Sequence, residues 1–174
     1  MKLYAIVDIE TTGGNASSGS ITEIAVAIHN GKEVIEFYET LVRPNQYIPY
    51  FIQQLTGITN EMVASAPSFD EVADTIYHLL KDKVFVAHNV GFDYSFVNAH
   101  LQVHGYKLNV PKLCTVKLSR KLIPGMTSYS LGKLCTQIGI NHTARHRAGG
   151  DVQATAQLFS MLFEKANYTD FFAR

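Results

Sequence analysis

The stretch that decides the fold is LYAIVDIETTGG, residues 3–14. Its apolar, β-branched beginning predicts a buried strand from Leu3 to Ile9 that ends in turn-like residues. Because side chains alternate between the two faces of a strand, Asp8 and Glu10 share one face and Ile9 points to the other. Two neighbouring carboxylates on a buried strand repel unless protons or cations neutralise them. The pattern therefore predicts either a cation site or a solvated strand end.

The segments that follow predict a mixed α/β sheet. Two more strands, Ile21 to His29 and Val34 to Val42, are joined by the hairpin signal Asn30-Gly31. The later predicted strands are Val84 to Ala87 and Leu113 to Val116, and the predicted helices are Tyr50 to Leu55, one beginning after Pro67-Ser68, Val90 to His104, Ser130 to Gln137 and Gly150 to Lys165. We therefore expect a five-stranded sheet, three antiparallel then two parallel strands, flanked by helices.

Length and composition predict one globular domain over residues 1–174. The chain is 47% hydrophobic and 17% charged, which is typical of a packed protein. Asp8 and Glu10 interrupt the N-terminal apolar run, and no apolar stretch approaches the ~18 residues of a membrane span. Cys114 and Cys135 form no C-x-x-C pair, which favours free thiols. We expect a cytoplasmic protein without a membrane segment.

Charge is distributed unevenly although the formal net charge is zero. Between Asp93 and Asp151 there is no acidic residue. The cations of this interval are Lys107, Lys112, Lys117, Arg120, Lys121, Lys133, Arg145 and Arg147. They are either solvated side chains on several helices or a surface that follows the phosphates of a polynucleotide.

Two further segments carry acids next to histidines. In HNVGFD, residues 88–93, Asp93 falls in the first turn of a predicted helix that follows a strand. In HRAGGD, residues 146–151, Asp151 opens the last helix and His146 lies on the loop before it. Taken singly, Asp93 could be a helix-start acid, His88 a hydrogen-bonded structural histidine and His146 an exposed loop residue.

Two other kinds of site were weighed. Asp8, Glu10 and Thr12 imitate the Asp-x-Asp-x-Thr strand end of aspartate-nucleophile phosphotransferases, but the second acid of Gly-Asp-x-x-x-Asp is missing because position 155 is Thr. His142 and His146 have the spacing of a zinc pair, yet no third His or Cys ligand lies close by in the sequence. Both alternatives are weaker than a carboxylate site.

Together, DIETTG at residues 8–13, HNVGFD at 88–93 and His146 five positions before Asp151 resemble the three exonuclease motifs of the DEDDh family. This is the histidine-containing branch of the DnaQ-like superfamily, which includes the proofreading epsilon subunit of bacterial DNA polymerase III. The resemblance implies an RNase H-like fold and two Mg²⁺ or Mn²⁺ ions. It assigns the metal to Asp8, Glu10, Asp93 and Asp151, and the role of general base to His146.

The resemblance also implies a binding site for the 3′-terminal nucleotide. The residues expected around it are Thr11, Thr12, Gly13, Thr56, Phe92 and Asn89, and LTGIT at 55–59 resembles the family segment that helps to seat that nucleotide. Two departures qualify the match: Gly14 replaces a bulky apolar residue, and Gly149-Gly150 is expected to loosen the start of the last helix.

The expected activity is 3′→5′ removal of 5′-mononucleotides from single-stranded or frayed DNA, in proofreading or repair. RNA trimming of the oligoribonuclease or RNase T type is an alternative, because sugar preference depends on contacts around the 2′ position. An inactive nuclease fold that serves as a binding module is another. The expected partners are single-stranded nucleic acid 3′ ends and a DNA polymerase catalytic subunit, although the chain ends at Ala173-Arg174 without a long docking tail. Oligomeric state stays open.

Overall fold

The computed structural model describes residues 2–166, which contain five strands and seven helices. The strands are β1 Tyr4–Thr11, β2 Ile21–His29, β3 Val34–Leu41, β4 Val84–Ala87 and β5 Lys112–Cys114. The helices are α1 Tyr50–Thr56, α2 Asn60–Ala64, α3 Phe69–Leu80, α4 Val90–Val103, α5 Thr115–Leu122, α6 Leu131–Ile138 and α7 Ala148–Lys165. The predicted chain end at Ala173-Arg174 lies outside these residues.

The strands form one sheet in the order β3-β2-β1-β4-β5. β1 pairs with β2 and β2 with β3 in antiparallel register, whereas β4 pairs in parallel with both β1 and β5. This confirms the predicted sheet of three antiparallel and two parallel strands. β1, the strand with two acids, occupies its centre.

Both faces of β1 are covered. Ala5, Val7 and Ile9 belong to the apolar cluster that packs on α3 and α4. Tyr4 and Ile6 belong to the cluster on the opposite face, which packs on α7. Asp8 and Glu10 continue this second row because of strand alternation, so the expected separation of the two acids from Ile9 is observed. The acids therefore face the side of the sheet that α7 covers.

The structure differs from the sequence-based prediction in its short elements. The strand predicted at Leu113 to Val116 ends at Cys114, where the chain turns into the unpredicted helix α5. The fully buried positions of α5 are Thr115 and Ser119, and only Leu118 and Leu122 on the same side pack against the apolar core, so its apolar pattern is too short to signal a helix. The other unpredicted helix, α2, has only five residues.

The last helix begins at Ala148, two residues before its predicted start, and contains Gly149 and Gly150. A Cβ atom on Gly150 would lie 2.2 Å from the carbonyl oxygen of Ala144, and one on Gly149 would lie 2.3 Å from Oε1 of Glu39. These glycines therefore let the preceding loop and β3 approach the helix closely, and the expected loosening of the helix start stays a prediction.

The cysteines and the membrane prediction concern the chain as a whole. Cys114 and Cys135 are free thiols, as expected. Across residues 2–166, no helix combines the length and the apolar character needed to cross a membrane.

Candidate active site

Three of the four predicted acids meet at one point. Asp8 and Glu10 come from the carboxyl-terminal half of β1, and Asp151 comes from the first turn of α7. One carboxylate oxygen of each lies within 4.8 Å of the others. These carboxylates are therefore close enough to bind a common cation.

The fourth predicted acid, Asp93, lies beside this group but is not part of it. It occupies the first turn of α4 and is only 3% exposed. The pKa of Asp93 is raised to about 7, mainly by burial and also by the charge of Asp151. Hydrogen bonds from the backbone N–H groups of Asp93 and Ile9 lower the pKa in part. Asp93 thus adds to the negative potential of the pocket.

The pocket cannot hold all its charges without compensation. Burial raises the pKa of Asp8 well above its ordinary value, and the charges of Asp93 and Asp151 add to that effect. Burial likewise raises the pKa of Glu10 to about 8, with Asp151 as the next contributor. Carboxylates in this state need protons or cations as neighbours. Clustered oxygen ligands of this kind suit a hard divalent cation.

An ion pair between the buried Glu23 and the partly exposed Arg147 fixes the beginning of α7. Glu23 lies directly opposite Glu10 in the pairing of β1 with β2 and is 1% exposed. The guanidinium of Arg147 donates to both Glu23 oxygens, at 2.6 Å from Nη2 and 3.1 Å from Nε, and the N–H of Ala148 donates to Oε2 at 2.8 Å. The pair neutralises an acid that would otherwise repel Glu10, and it ties the start of α7 to the central sheet.

The sequence analysis missed both partners of this ion pair. Glu23 is the only acid in the otherwise apolar and hydroxylic run ITEIAVAIH, which is the signal that could have revealed it. Arg147 was counted among the solvated or phosphate-binding cations.

The two histidines of the loop before α7 are placed differently. His142 Nε2 is hydrogen-bonded to Oδ1 of Asp151, and the His142 side chain is 4% exposed. The buried Nδ1 of His142 has no hydrogen-bond partner among the described residues. His146 is exposed and has a left-handed backbone, with φ 58°. His142, which the sequence suggested only as one half of a zinc pair, is therefore the histidine that contacts an acid of the pocket.

His88 has the structural role that was the alternative to a metal ligand. Its Nε2 faces the carbonyl oxygen of Tyr129 at 2.8 Å and therefore carries the ring proton. Its Nδ1 lies 2.9 Å from Oγ1 of Thr115. Both ring nitrogens are thus engaged. Within the described residues, the group close enough to hold an ion consists of carboxylates alone, so a zinc pair of His142 and His146 has no support.

The predicted nucleotide-binding residues next to β1 are part of an internal hydrogen-bond network. The Thr11 hydroxyl donates to the carbonyl of Gly13 at 2.8 Å. Oγ1 of Thr12 accepts from the N–H of Ser20 at 3.0 Å and from Nε2 of Gln46 at 2.8 Å. A Cβ built on Gly13 would meet no atom within 4 Å, so there is open space beside this turn.

The other three predicted binding residues are spread over two elements. Thr56 is buried at the end of α1, where its hydroxyl donates to the carbonyl of Ile52 and accepts from the N–H of Ile58. Phe92 is half-buried and packs on Phe96, with ring centroids 5.0 Å apart. Asn89 is exposed and left-handed, with φ 78°, immediately before α4.

The eight cations of the basic interval divide into seven exposed side chains and one, Arg147, that is partly buried in an ion pair. Arg147 is the exception, since it binds Glu23. The exposed members are Lys107, Lys112, Lys117, Arg120, Lys121, Lys133 and Arg145. Only these seven remain available for a polynucleotide backbone.

A mixed sheet whose central strand carries acids against a last helix with a further acid is the arrangement expected of a metal-dependent nuclease. Comparison with known proteins agrees. The model of the exonuclease family named RNase T matches residues 5–159. The chain therefore belongs to the DnaQ-like 3′→5′ exonucleases, and this membership argues against the phosphotransferase alternative.

The similar proteins are bacterial exonucleases. The chain is 37% identical over 164 residues to the 3′-5′ exonuclease DinG of Bacillus subtilis (strain 168) and 37% identical over 166 residues to DinG of Staphylococcus aureus (strain MRSA252). These matches cover 93% and 95% of this chain but only 18% of each relative. The chain thus corresponds to a small part of those proteins.

Two solved structures extend the comparison. Exonuclease X in complex with 5′ overhanging duplex DNA superposes with a TM-score of 0.77 at 30% identity, covering 95% of this chain and 94% of that one. E. coli exonuclease I in complex with a dT13 oligonucleotide has a TM-score of 0.86 at 19% identity, covering 97% of this chain and 42% of that one. The second comparison shows the RNase H-like fold alone, as predicted.

Proposed function

We propose that this chain removes 5′-mononucleotides from the 3′ ends of single-stranded or frayed DNA by a two-metal mechanism, as a member of the DEDDh branch. The observation that carries the proposal is the group of Asp8, Glu10 and Asp151, whose oxygens lie within 4.8 Å of one another in a pocket that raises the pKa of Asp8 and Glu10. Such a group is stabilised by bound cations and suits phosphodiester hydrolysis.

The four predicted acids would hold the metal. Asp8, Glu10 and Asp151 would provide oxygen ligands, and Asp93 would add a ligand or negative charge from the start of α4. When bound, two Mg²⁺ or Mn²⁺ ions supply a hydroxide at neutral pH and stabilise charge on the entering and leaving oxygens. Backbone hydrogen bonds at Ile9 and Asp93 favour the ionised form of the Asp93 carboxyl, which is the form that binds a cation.

We assign to His146 the task of accepting the proton of the attacking water. Its place five residues before Asp151 supports this role, and its exposed loop would have to bring the imidazole to the pocket when substrate binds. Hydrogen bonds used in catalysis are often unformed before substrate is present. The competing candidate is His142, because it already contacts Asp151.

DNA is the proposed substrate because the Exonuclease X complex, which covers nearly all of this chain, contains DNA. A proofreading or repair role and a DNA polymerase catalytic subunit as partner stay predictions. Co-purification of the chain with such a subunit would test the partner.

The decisive experiment digests matched DNA and RNA oligonucleotides that carry a label at either the 3′ or the 5′ end. With Mg²⁺ or Mn²⁺, we expect the 3′ label to be released first as a mononucleotide and the 5′-labelled strand to shorten stepwise, with DNA degraded faster than RNA. EDTA should stop both reactions. Release of the 5′ label first would refute the direction, preferential digestion of RNA would favour the trimming alternative, and activity in EDTA would refute the metal mechanism.

A further inference from the structure

Helix α1 presents three of its four large apolar side chains outward. Its exposed stripe consists of Tyr50, Phe51, Gln54 and Leu55, and its inner side consists of Ile52, Gln53 and Thr56. Tyr50 is 74% exposed, Phe51 67% and Leu55 54%. An ordinary surface helix has the opposite arrangement, with its apolar stripe towards the core. The outward stripe of α1 is therefore a feature that packing does not explain.

Exposed apolar side chains are concentrated in this part of the molecule. Of the nine large hydrophobic side chains that are exposed in residues 2–166, five lie between positions 47 and 62. They are Tyr47, Tyr50, Phe51, Leu55 and Met62. Single exposed hydrophobic residues are common, but a concentration of them usually marks a binding surface.

This segment is attached next to the acid pocket. Nε2 of Gln46 donates to Oγ1 of Thr12 and to the carbonyl of Ser18, both at 2.8 Å. Thr12 comes two residues after Glu10 in the chain. Tyr47 therefore follows a residue that is hydrogen-bonded to the turn leaving the catalytic strand.

The segment also has an ordered base of its own. A small apolar cluster lies beneath it, formed by Ile48, Ile58, Val63 and Ala66. The Asn60 side chain accepts from the N–H of Ile48 at 2.9 Å and donates to its carbonyl at 3.2 Å, and Gln53 donates to the same carbonyl at 2.9 Å. Side chains on such a base lose little freedom when a ligand binds.

The chemistry of the surface fits bases and not phosphates. Residues 44–60 contain no Asp, Glu, Lys, Arg or His. A surface without cations cannot attract phosphates, whereas exposed aromatic rings stack on unpaired bases of any sequence. A helix of seven residues is about 10 Å long, which corresponds to two or three bases at ~3.4 Å spacing.

A second copy of the chain fits this surface less well. A stable interface buries about 800 Å² on each partner, which is far more than the stripe of a two-turn helix can offer. Unpaired bases need only a few ring faces.

We propose that Tyr50 and Phe51, together with Tyr47, form a stacking surface that binds unpaired bases upstream of the 3′-terminal nucleotide. This inference rests on the proposed exonuclease function. It adds a binding site that holds the strand while the acids act on its end. The surface selects single-stranded over fully paired ends, because paired bases do not offer free faces to aromatic rings.

The test compares a single-stranded 12-mer with the p-nitrophenyl ester of thymidine 5′-monophosphate, which has one base and no upstream nucleotide. The double variant Tyr50→Ala/Phe51→Ala should raise KM for the 12-mer about tenfold or more. Its kcat and its hydrolysis of the ester should stay at the wild-type level. Tyr50→Phe, which keeps the ring, should behave like wild type.

Phe37→Ala is the matched control, because Phe37 is an exposed aromatic residue on β3, 43% exposed. It should change neither substrate's kinetics. Fluorescence anisotropy of a labelled 12-mer in EDTA measures the same loss of binding in the double variant without any need for catalysis.

Each other outcome overturns the proposal in a recognisable way. Wild-type KM for the 12-mer in the double variant removes the stacking role and leaves the nuclease assignment intact. An equal loss on both substrates shows that these residues support the acid pocket instead. A change of oligomeric state with unchanged KM assigns the surface to a second copy. A wild-type protein that cleaves neither substrate refutes the proposed function itself.

Discussion

The end of β1 and the segment that leads into α7 bring acids to the same pocket by different means. Asp8 and Glu10 lie on a central strand whose backbone pairs with β2 through both positions. Asp151 depends on side-chain contacts instead: Arg147 binds Glu23, and Gly150 lies against Ala144. The sheet therefore sets the position of the first two acids, whereas a few individual residues set that of the third and of both nearby histidines.

The largest expected effect is at β1. Asp8→Asn removes a proposed metal ligand, so the exonuclease rate should fall by about a thousandfold or more, which corresponds to ~4 kcal/mol of activation free energy. The same change removes a buried carboxyl whose ionised form is disfavoured by burial and by the neighbouring acids. The metal-free variant should therefore melt at a higher temperature than wild type, as calorimetry in EDTA would show.

Asp82→Asn is the matched control for this variant. Asp82 is an exposed acid with φ 62°, a backbone conformation that Asn also adopts. It should alter neither rate nor stability. A loss of activity together with a lower melting temperature in Asp8→Asn would contradict the prediction. It would show that the Asp8 carboxyl stabilises the metal-free fold.

The second prediction tests which histidine of the loop before α7 is the general base. His146→Ala should lower kcat by about a hundredfold, the usual contribution of a general base. Its stabilisation by Mg²⁺ should persist because the acids remain. His142→Ala should cost less, since we assign the proton transfer to His146. A larger loss for His142→Ala than for His146→Ala would move the general base to the residue that contacts Asp151.

A smaller loss is expected when the anchor of α7 is weakened. Glu23→Gln replaces the carboxylate that holds Arg147, so kcat should fall about tenfold while KM stays unchanged, as is typical of residues that orient metal ligands. Arg147→Lys keeps the positive charge but loses the two-pronged guanidinium contact with Glu23. Its kcat should therefore lie between that of Glu23→Gln and that of wild type.

Arg145→Lys serves as the control for the anchor, because the Arg145 guanidinium is exposed and contacts Gly132 and Thr136 away from Glu23. Wild-type kcat in Glu23→Gln would show that the pocket forms without the ion pair. The position of Asp151 would then not depend on this side-chain contact.

The smallest effect is the pH dependence of the metal-free protein. Folding raises the pKa of Asp93 to about 7 and of Glu10 to about 8, so the folded state binds more protons than the unfolded state. Stability is then greatest below the ordinary carboxyl pKa and is lost as pH rises through about 7 to 8. We expect the melting temperature in EDTA to fall by a few degrees between pH 5 and 9.

Mg²⁺ should restore more stability at pH 8 than at pH 6, because it replaces the protons that leave. Glu10→Gln should flatten the profile. A melting temperature in EDTA that does not change with pH would contradict the buried, repelling state of these acids.

Much of the fold followed from local patterns. The bounds predicted for the strands Ile21–His29 and Val84–Ala87 are those observed, because an apolar run marks each: residues 24–28 in the first and the whole of the second. The helix α5 escaped prediction because it has only eight residues and its inner face combines the hydroxyl groups of Thr115 and Ser119 with two leucines, Leu118 and Leu122. A periodicity argument needs a longer apolar stripe than that.

The site was predictable as a set of acids but not as a geometry. The order of Asp8, Glu10, Asp93 and Asp151 could be read from motifs. Which histidine contacts Asp151 depends on a loop that contains a left-handed residue, and no pattern in the sequence specifies that path. The Glu23 and Arg147 ion pair joins residues 124 positions apart, which a single sequence does not reveal.

That sequence separation has a consequence for the timing of activity during synthesis. The strand acids leave the ribosome early, but Arg147 and Asp151 follow more than a hundred residues later. Domains generally complete their folding only once their later elements have emerged. A nascent chain that stops short of α7 thus lacks Asp151 and leaves the acid pocket incomplete, so premature termination yields an inert fragment and not an unregulated nuclease.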